Sequence, residues 1–272
     1  ADSAFHAPDA LRDVEPADLR ARHVERILLG GAPSERLATP QGRPKIIIIV
    51  DDLGLDPGQL DRVLGLPGPL SLSFLPYARD VAAEAARARG SGHAVMLHLP
   101  MEPEGGADAG PMHLSADMNA STLVSRLQRN LGRFDGYVAV NNHMGSRFTR
   151  DEAAMKTVLA ALKERGVFFV DSRTTPASRA AVAGKAVGVD VFGRDVFVDP
   201  ESGEDVVRAQ LAQVERIARA TGYAVAICHP RADTLAVLGP WLTTAPARGF
   251  ELATVEALSG LARAPSRLAM RP

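Results

Sequence analysis

Short apolar, β-branched segments alternate with longer Ala/Leu/Arg stretches of helical spacing over most of the chain, and this alternation constrains the fold more than anything else. The expected strands are 46–50, 70–75, 94–97, 137–140, 167–170, 187–191 or the nearby 196–198, 223–227 and 250–253. Helices are expected at 80–89, 119–131, 151–165, 204–220 and 254–262. For the third of these, Thr149, three residues before Glu152, reads as the start signal. Strand–helix repetition of this kind predicts a parallel sheet, either a (β/α) barrel or an open doubly wound sheet.

The polar residues decide between the two. Almost every expected strand runs straight into residues capable of chemistry: Asp51 and Asp52, His98, Asn141 to His143, Asp171, and His229. An open sheet gathers a site from two or three strands at one crevice. A barrel gathers strand ends from all round its ring on its C-terminal face. A barrel spanning residues 45–262 therefore joins five strand ends in one site. Residues 1–44, rich in Ala, Arg, Asp and Pro, are expected to form a flexible arm, and 263–272 a tail.

"IIIIVDDLG", Ile46 to Gly54, poses an electrostatic problem. A strand apolar throughout is one covered on both faces, yet it ends in two adjacent like charges. Such a pair needs a counter-charge, and a divalent cation supplies one. One Asp oxygen with two imidazoles makes a three-ligand site with an open position, the layout of catalytic zinc. The other carboxylate is then a general base and a further histidine an acid, as in metal-assisted hydrolysis of an amide or ester. Of the seven histidines, His98, His143 and His229 follow strands. His6, His23 and His113 read as surface residues and His93 as structural. Neighbouring strand residues point opposite ways, so the chain must turn for both aspartates to reach one site, and Gly54 is expected to permit it.

"IIIIVDDLG", "MLHLPMEP", "NNHMGSRFT", "FVDSRT" and "AICHPR" together resemble the divergent polysaccharide deacetylase family, over about 45–260. The resemblance implies a seven-stranded (β/α) barrel, a bound divalent metal such as zinc, and removal of N- or O-acetyl groups from a glycan. It implies Asp51 as base, Asp52 as metal ligand and His229 as acid. Classical members of the wider superfamily take both metal histidines from one H-x-x-x-H segment. Here that segment reads "HLPME", so His98 is kept, Glu102 stands in the partner position, and the Arg-Pro-Pro signature is missing. His143 is the candidate second histidine and Glu102 the fallback. Asp171 either orients the base or the acid, or caps the following helix. Arg173 is a candidate bidentate partner of a catalytic carboxylate. Asn142 and Ser146 either contact substrate or satisfy loop backbone. Asp199 reads as a cap or turn residue before the 204–220 helix, and Cys228 as a small buried residue.

A net charge of −1 gives no footing for nucleic acid, and no run of residues approaches a transmembrane helix. A glycan substrate, peptidoglycan or another envelope polysaccharide, implies a periplasmic or exported location. Two rivals differ in class: an envelope glycan-binding or scaffolding protein on the same barrel, and a metal-free glycosidase using Asp51 and Asp171.

Overall fold

The computed structural model describes residues 42–262; most of the expected arm and the 263–272 tail lie outside the described residues. In chain order the strands are β1 (Lys45–Leu53), β2 (Ser71–Phe74), β3 (Ala94–Met101), β4 (Ala139–Met144), β5 (Phe168–Asp171), β6 (Val191–Gly193), β7 (Val196–Phe197), β8 (Tyr223–Cys228) and β9 (Glu251–Ala253). The helices are α1 (Pro57–Leu64), α2 (Val81–Gly90), α3 (Ala120–Leu131), α4 (Glu152–Glu164), α5 (Ala180–Val187), α6 (Glu204–Thr221), α7 (Ala232–Thr244) and α8 (Glu256–Ala262). Every ladder is parallel, in the order β6-β5-β4-β3-β2-β1-β8-β7.

The two ends of that order are one stretch of chain. Phe169 to Asp171 of β5 pair with Val191 to Gly193, and Val196 and Phe197 pair with Ala226 and Ile227 of β8. Between them, Arg194 N donates to Asp171 O and Asp195 N to Val225 O. A broken strand thus spans the gap, and the fold is a (β/α) barrel with seven ring positions. The sheet holds nine strands rather than seven for two reasons. The sixth position is split at Arg194–Asp195, and β9 pairs with Lys45–Ile47 on the edge of β1 that β2 takes further along. Of the two ranges expected for this strand, 187–191 overlaps β6 only at Val191, because Val187 ends α5, while 196–198 holds both residues of β7.

Alternation along each strand sorts the side chains. Ile46, Ile48 and Val50 join the outer core under the helices with Val95, Leu97, Leu99, Val140, Phe169, Ala224, Ala226 and Cys228. Ile47 and Ile49 are equally buried but fill the barrel. Each buried aliphatic side chain contributes roughly 1.5–3 kcal/mol, which is why the buried run of β1 between Lys45 and Asp51 holds no polar residue. Local signals set the helix starts: Asp56 caps α1 ahead of Pro57, and Asn119 caps α3 by accepting from Thr122 N at 2.9 Å. At α4 the cap is Asp151, accepting from Ala154 N at 3.0 Å. Thr149, expected there, instead spends its hydroxyl on Gly145 O.

Candidate active site

The same alternation that sends Val50, Leu97, Val140 and Cys228 outward sends Asp51, His98, Asn141 and His229 inward, at the C-terminal mouth. Register then brings them together: His98 pairs across to Asn141, two residues short of His143.

Asp52 is out of phase and should point outward. It reaches the site because its own backbone turns: φ is +61°, in the left-handed region that non-glycine residues rarely occupy, and the β1–β2 register slips between Val50 and Leu53. The turn expected at Gly54 thus begins two residues earlier. Gly54 is still required, at φ +107°, where an added Cβ would sit 2.8 Å from the Ala78 side chain. Met144 and Arg173, at the ends of β4 and β5, also have positive φ. Backbone strain of this kind costs of order 1–3 kcal/mol per residue and is retained where geometry matters more than stability.

Asp52 Oδ1 lies 2.9 Å from His143 Nδ1 and 3.2 Å from His98 Nε2, and the two nitrogens are 3.2 Å apart. These three atoms form a group able to hold a metal ion. The oxygen is buried, yet neither imidazole meets it with the angles of a hydrogen bond, and it has no partner among the described residues. A buried carboxylate oxygen without a hydrogen-bond partner, beside two imidazole nitrogens, fits a cation. Burial works against ionisation of Asp52, but the His143 and His98 imidazoles prevail and hold its carboxyl well below the ordinary range.

Asn141, completely buried, organises the inner side. Its Nδ2 donates to both Asp51 oxygens, at 2.8 and 3.0 Å, while its Oδ1 accepts from Ser73 Oγ at 2.6 Å and from His98 Nδ1 at 3.0 Å. An amide facing a carboxylate must present its NH₂ there, so Oδ1 faces His98 and takes the Nδ1 proton. That leaves the His98 Nε2 lone pair toward the cluster. Burial pushes the Asp51 carboxyl above its ordinary range, against the pull of His98, His229 and Asn141. Burial opposes protonation of His98, but Asp51 and Asp52 raise its imidazole overall.

His229 stands across the mouth with Nε2 3.6 Å from Asp52 Oδ2. Its Nδ1 donates to Asp199 Oδ1 at 3.0 Å, and its backbone N to Asp199 Oδ2 at 2.8 Å, where Thr234 Oγ1 also donates. Burial lowers the His229 pKa, and the Asp199 carboxylate, with Asp52 and Asp51 behind it, more than restores it, so the net shift is upward. Asp199 is therefore no helix cap; it is a buried carboxylate that holds the histidine.

The other expected residues are placed differently. Asp171 shares the outward phase of Phe169, and its Oδ1 accepts from Arg173 N at 2.8 Å. Among the described residues it bonds neither Asp51 nor His229, and its outward phase sets it on the opposite face from Asp51, whereas a glycosidase needs both carboxylates flanking one substrate. The Arg173 guanidinium lies over Gly193, where an added Cβ would come within 2.3 Å of it, rather than on a catalytic carboxylate. Asn142, outward like Val140, donates to Met144 O and accepts from Ser172 N, tying the β4 and β5 loops. Ser146 Oγ accepts from Glu104 N, again a loop-backbone role. Glu102, the fallback ligand, is engaged by Ser115, Ala116 N and Arg147. Asn141 and Asp199 carry more of the site than their sequence contexts disclose. Asn141 is legible only as a polar residue at a strand end, and Asp199 only through the β7–β8 register, since Phe197 pairs with Ile227 two positions before each member of the Asp199–His229 pair.

A parallel barrel whose mouth gathers two carboxylates and three histidines around a metal-ready triangle is the architecture of a deacetylase-type barrel. The chain belongs to the divergent polysaccharide deacetylase family, whose profile matches residues 48–259. It is 32% identical over 213 residues to the uncharacterized protein YibQ of Escherichia coli (strain K12), covering 78% of this chain and 67% of that protein. The crystal structure of uncharacterized protein ATU2773 from Agrobacterium tumefaciens C58 superposes with a TM-score of 0.77 at 29% identity, covering 82% of this chain and 94% of that one. A T48 deacetylase solved with substrate shares the fold, with a TM-score of 0.51 at 11% identity over 80% of this chain and 92% of that one.

Proposed function

We propose that this chain is a metal-dependent hydrolase that removes N- or O-acetyl groups from a cell-envelope glycan, peptidoglycan or another envelope polysaccharide, in the periplasm or outside the cell. The observation that carries this reading is the convergence of Asp52 Oδ1, His98 Nε2 and His143 Nδ1, with Asp51 on one side and His229 on the other. A divalent cation held by Asp52, His98 and His143, zinc in this reading, would supply the positive charge that polarises an acetyl carbonyl and acidifies water.

The chain's own groups move the protons. Asp51 takes the proton of the attacking water, and its raised pKa makes it a stronger base than an exposed carboxylate. Asn141 fixes the direction from which it acts. His229 gives the proton from Nε2 to the departing amine or alkoxide, and Asp199 keeps Nδ1 protonated and the ring aimed at the mouth. The upward shift of the His229 pKa favours the protonated ring that this step uses.

Metal content of the purified protein and acetate release from acetylated glycans, with wild type and Asp51→Asn, test the reading. Bound zinc with acetate released by wild type alone is the expected result. A protein that takes up no divalent metal would overturn it. A metal-loaded protein inert across a broad panel of acetylated glycans would make the chain a glycan-binding scaffold instead.

A further inference from the structure

Arg194 occupies the break between β6 and β7, and the deacetylase reading gives it no role. Its Nε donates to Ser172 O at 2.8 Å and its Nη2 to Arg173 O at 3.3 Å, which fixes the plane of the fork. Its guanidinium carbon lies 4.9 Å from the Phe197 ring centroid, and that ring meets His229 edge-on at 5.6 Å. Ser172, whose carbonyl anchors it, lies with its hydroxyl 3.3 Å from Asn141 Nδ2. The guanidinium therefore stands on the rim between the candidate acid and the network behind the candidate base.

What it lacks is an anion. It is only partly exposed, and among the described residues no carboxylate reaches it at ion-pair distance. The carboxylates in its neighbourhood are already committed: Asp51 to Asn141, Asp171 to Arg173 N, and Asp195 to Val225 N. Burial, followed by the charge of Arg173, pulls its pKa below the ordinary guanidinium range despite those carboxylates. Nη1 has no hydrogen-bond partner among the described residues. A half-buried cation, rigidly held and with one donor edge unused, is costly unless a ligand supplies the opposite charge. A planar fork held by carbonyls is suited to an oxyanion on its remaining edge.

We propose that Arg194 is an anion-recognition residue, so that the glycan handled at this mouth carries an acidic substituent, a carboxylate or a phosphate, close to the acetyl group. The substrate context rests on the deacetylase reading; the anion site rests on Arg194 and its surroundings.

Two matched probe pairs test this by equilibrium titration of the purified chain. One is an N-acetylglucosamine–N-acetylmuramic acid oligosaccharide with its lactyl carboxylates free or methyl-esterified. The other is an acetylated oligosaccharide bearing a phosphate monoester or dephosphorylated. Wild type should bind the acidic member of at least one pair about tenfold or more tightly than its neutral counterpart. Arg194→Gln should bring that ratio close to unity, and Arg194→Lys should leave it intermediate. Circular dichroism melts confirm the fold, and the Lys variant decides the matter should the Gln variant not fold. No preference by wild type in either pair overturns the proposal. So does an Arg194→Gln protein that keeps the preference, or one that weakens acidic and neutral binding alike, which would mark an architectural role. Acetate release read on the same probes separates the two ideas. Acid preference without acetate release removes the deacetylase reading and keeps the anion site; acetate release without preference does the reverse.

Discussion

Asn141 holds Asp51 in a two-pronged grip, its amide nitrogen 2.8 and 3.0 Å from the two carboxylate oxygens, while the other end of the same amide takes the His98 Nδ1 proton. One buried side chain thus orients the candidate base and sets the tautomer of a candidate metal ligand. Asn141→Ala should weaken zinc binding by roughly 10- to 100-fold, the usual effect of losing the partner behind a ligating histidine. It should also cost the metal-free protein about 1–3 kcal/mol, because buried groups on Asp51 and His98 lose their partner. Calorimetric zinc titration and urea denaturation read the two effects separately. Unchanged zinc affinity would sink the idea that this amide prepares His98.

The ligand assignment separates His143 from Glu102. Zinc added to metal-free wild type at about 100 times its dissociation constant should stabilise the fold by about 2.7 kcal/mol. His143→Ala and Asp52→Ala should lose most of that gain, while Glu102→Gln should keep it, since Arg147, Ser115 and Ala116 N already engage the Glu102 carboxylate. Thermal melts with and without zinc decide the matter. If Glu102→Gln abolished the zinc-dependent shift and His143→Ala did not, the fallback ligand would be the right one.

These contrasts show what the sequence made legible. Strand ends bearing Asp51, His98, His143 and His229 are visible because hydrophobic runs stop where the barrel opens, and local patterning carries that signal. Asn142 and Asp171 look equally chemical in sequence. Whether a strand-end residue faces the mouth or the helices depends on its phase, which becomes certain only once Val140 and Phe169 are seen to pack outward. Asp52 reverses its phase by a positive φ that no local rule assigns to an aspartate followed by leucine. Asp199 stands 30 residues before the histidine it holds. Their contact exists only through the β7–β8 ladder, and pairing register between distant strands is a tertiary property.

Asp199→Asn tests that contact. The amide is nearly the same size, and its oxygen can still accept the Nδ1 proton, but it removes the charge that favours protonated His229. It also offers an NH₂ that can turn toward Nδ1 and fix the wrong tautomer. Acetate release should fall by roughly 10² or more, in line with losing a general acid, while zinc affinity stays at the wild-type value. Parallel activity and metal titrations check this. Full activity in the variant would return Asp199 to the purely structural role its sequence context suggested.

Glu102 supplies a stability prediction with a definite sign. Burial works against its ionisation, but the hydrogen bonds from Ser115, Ala116 N and Arg147 prevail and leave its carboxyl below the ordinary range. A carboxylate whose folded pKa is depressed binds protons more readily when the chain is unfolded. Its contribution to stability is therefore complete above the unfolded value, about 4.3, and fades as pH falls through the lower folded value. Glu102→Gln removes the titration while keeping the size. The excess stability of wild type over this variant should hold steady from pH 7 to about 5.5 and shrink below about 4.5, read from urea midpoints at each pH. The backbone of Glu102 meets Leu114 O, Arg147 N and Phe148 N, so the same carboxylate network ties the end of β3 to both loops that shape the mouth. A gap that widened on acidification would mean that Glu102 is strained in the folded state rather than satisfied by its donors.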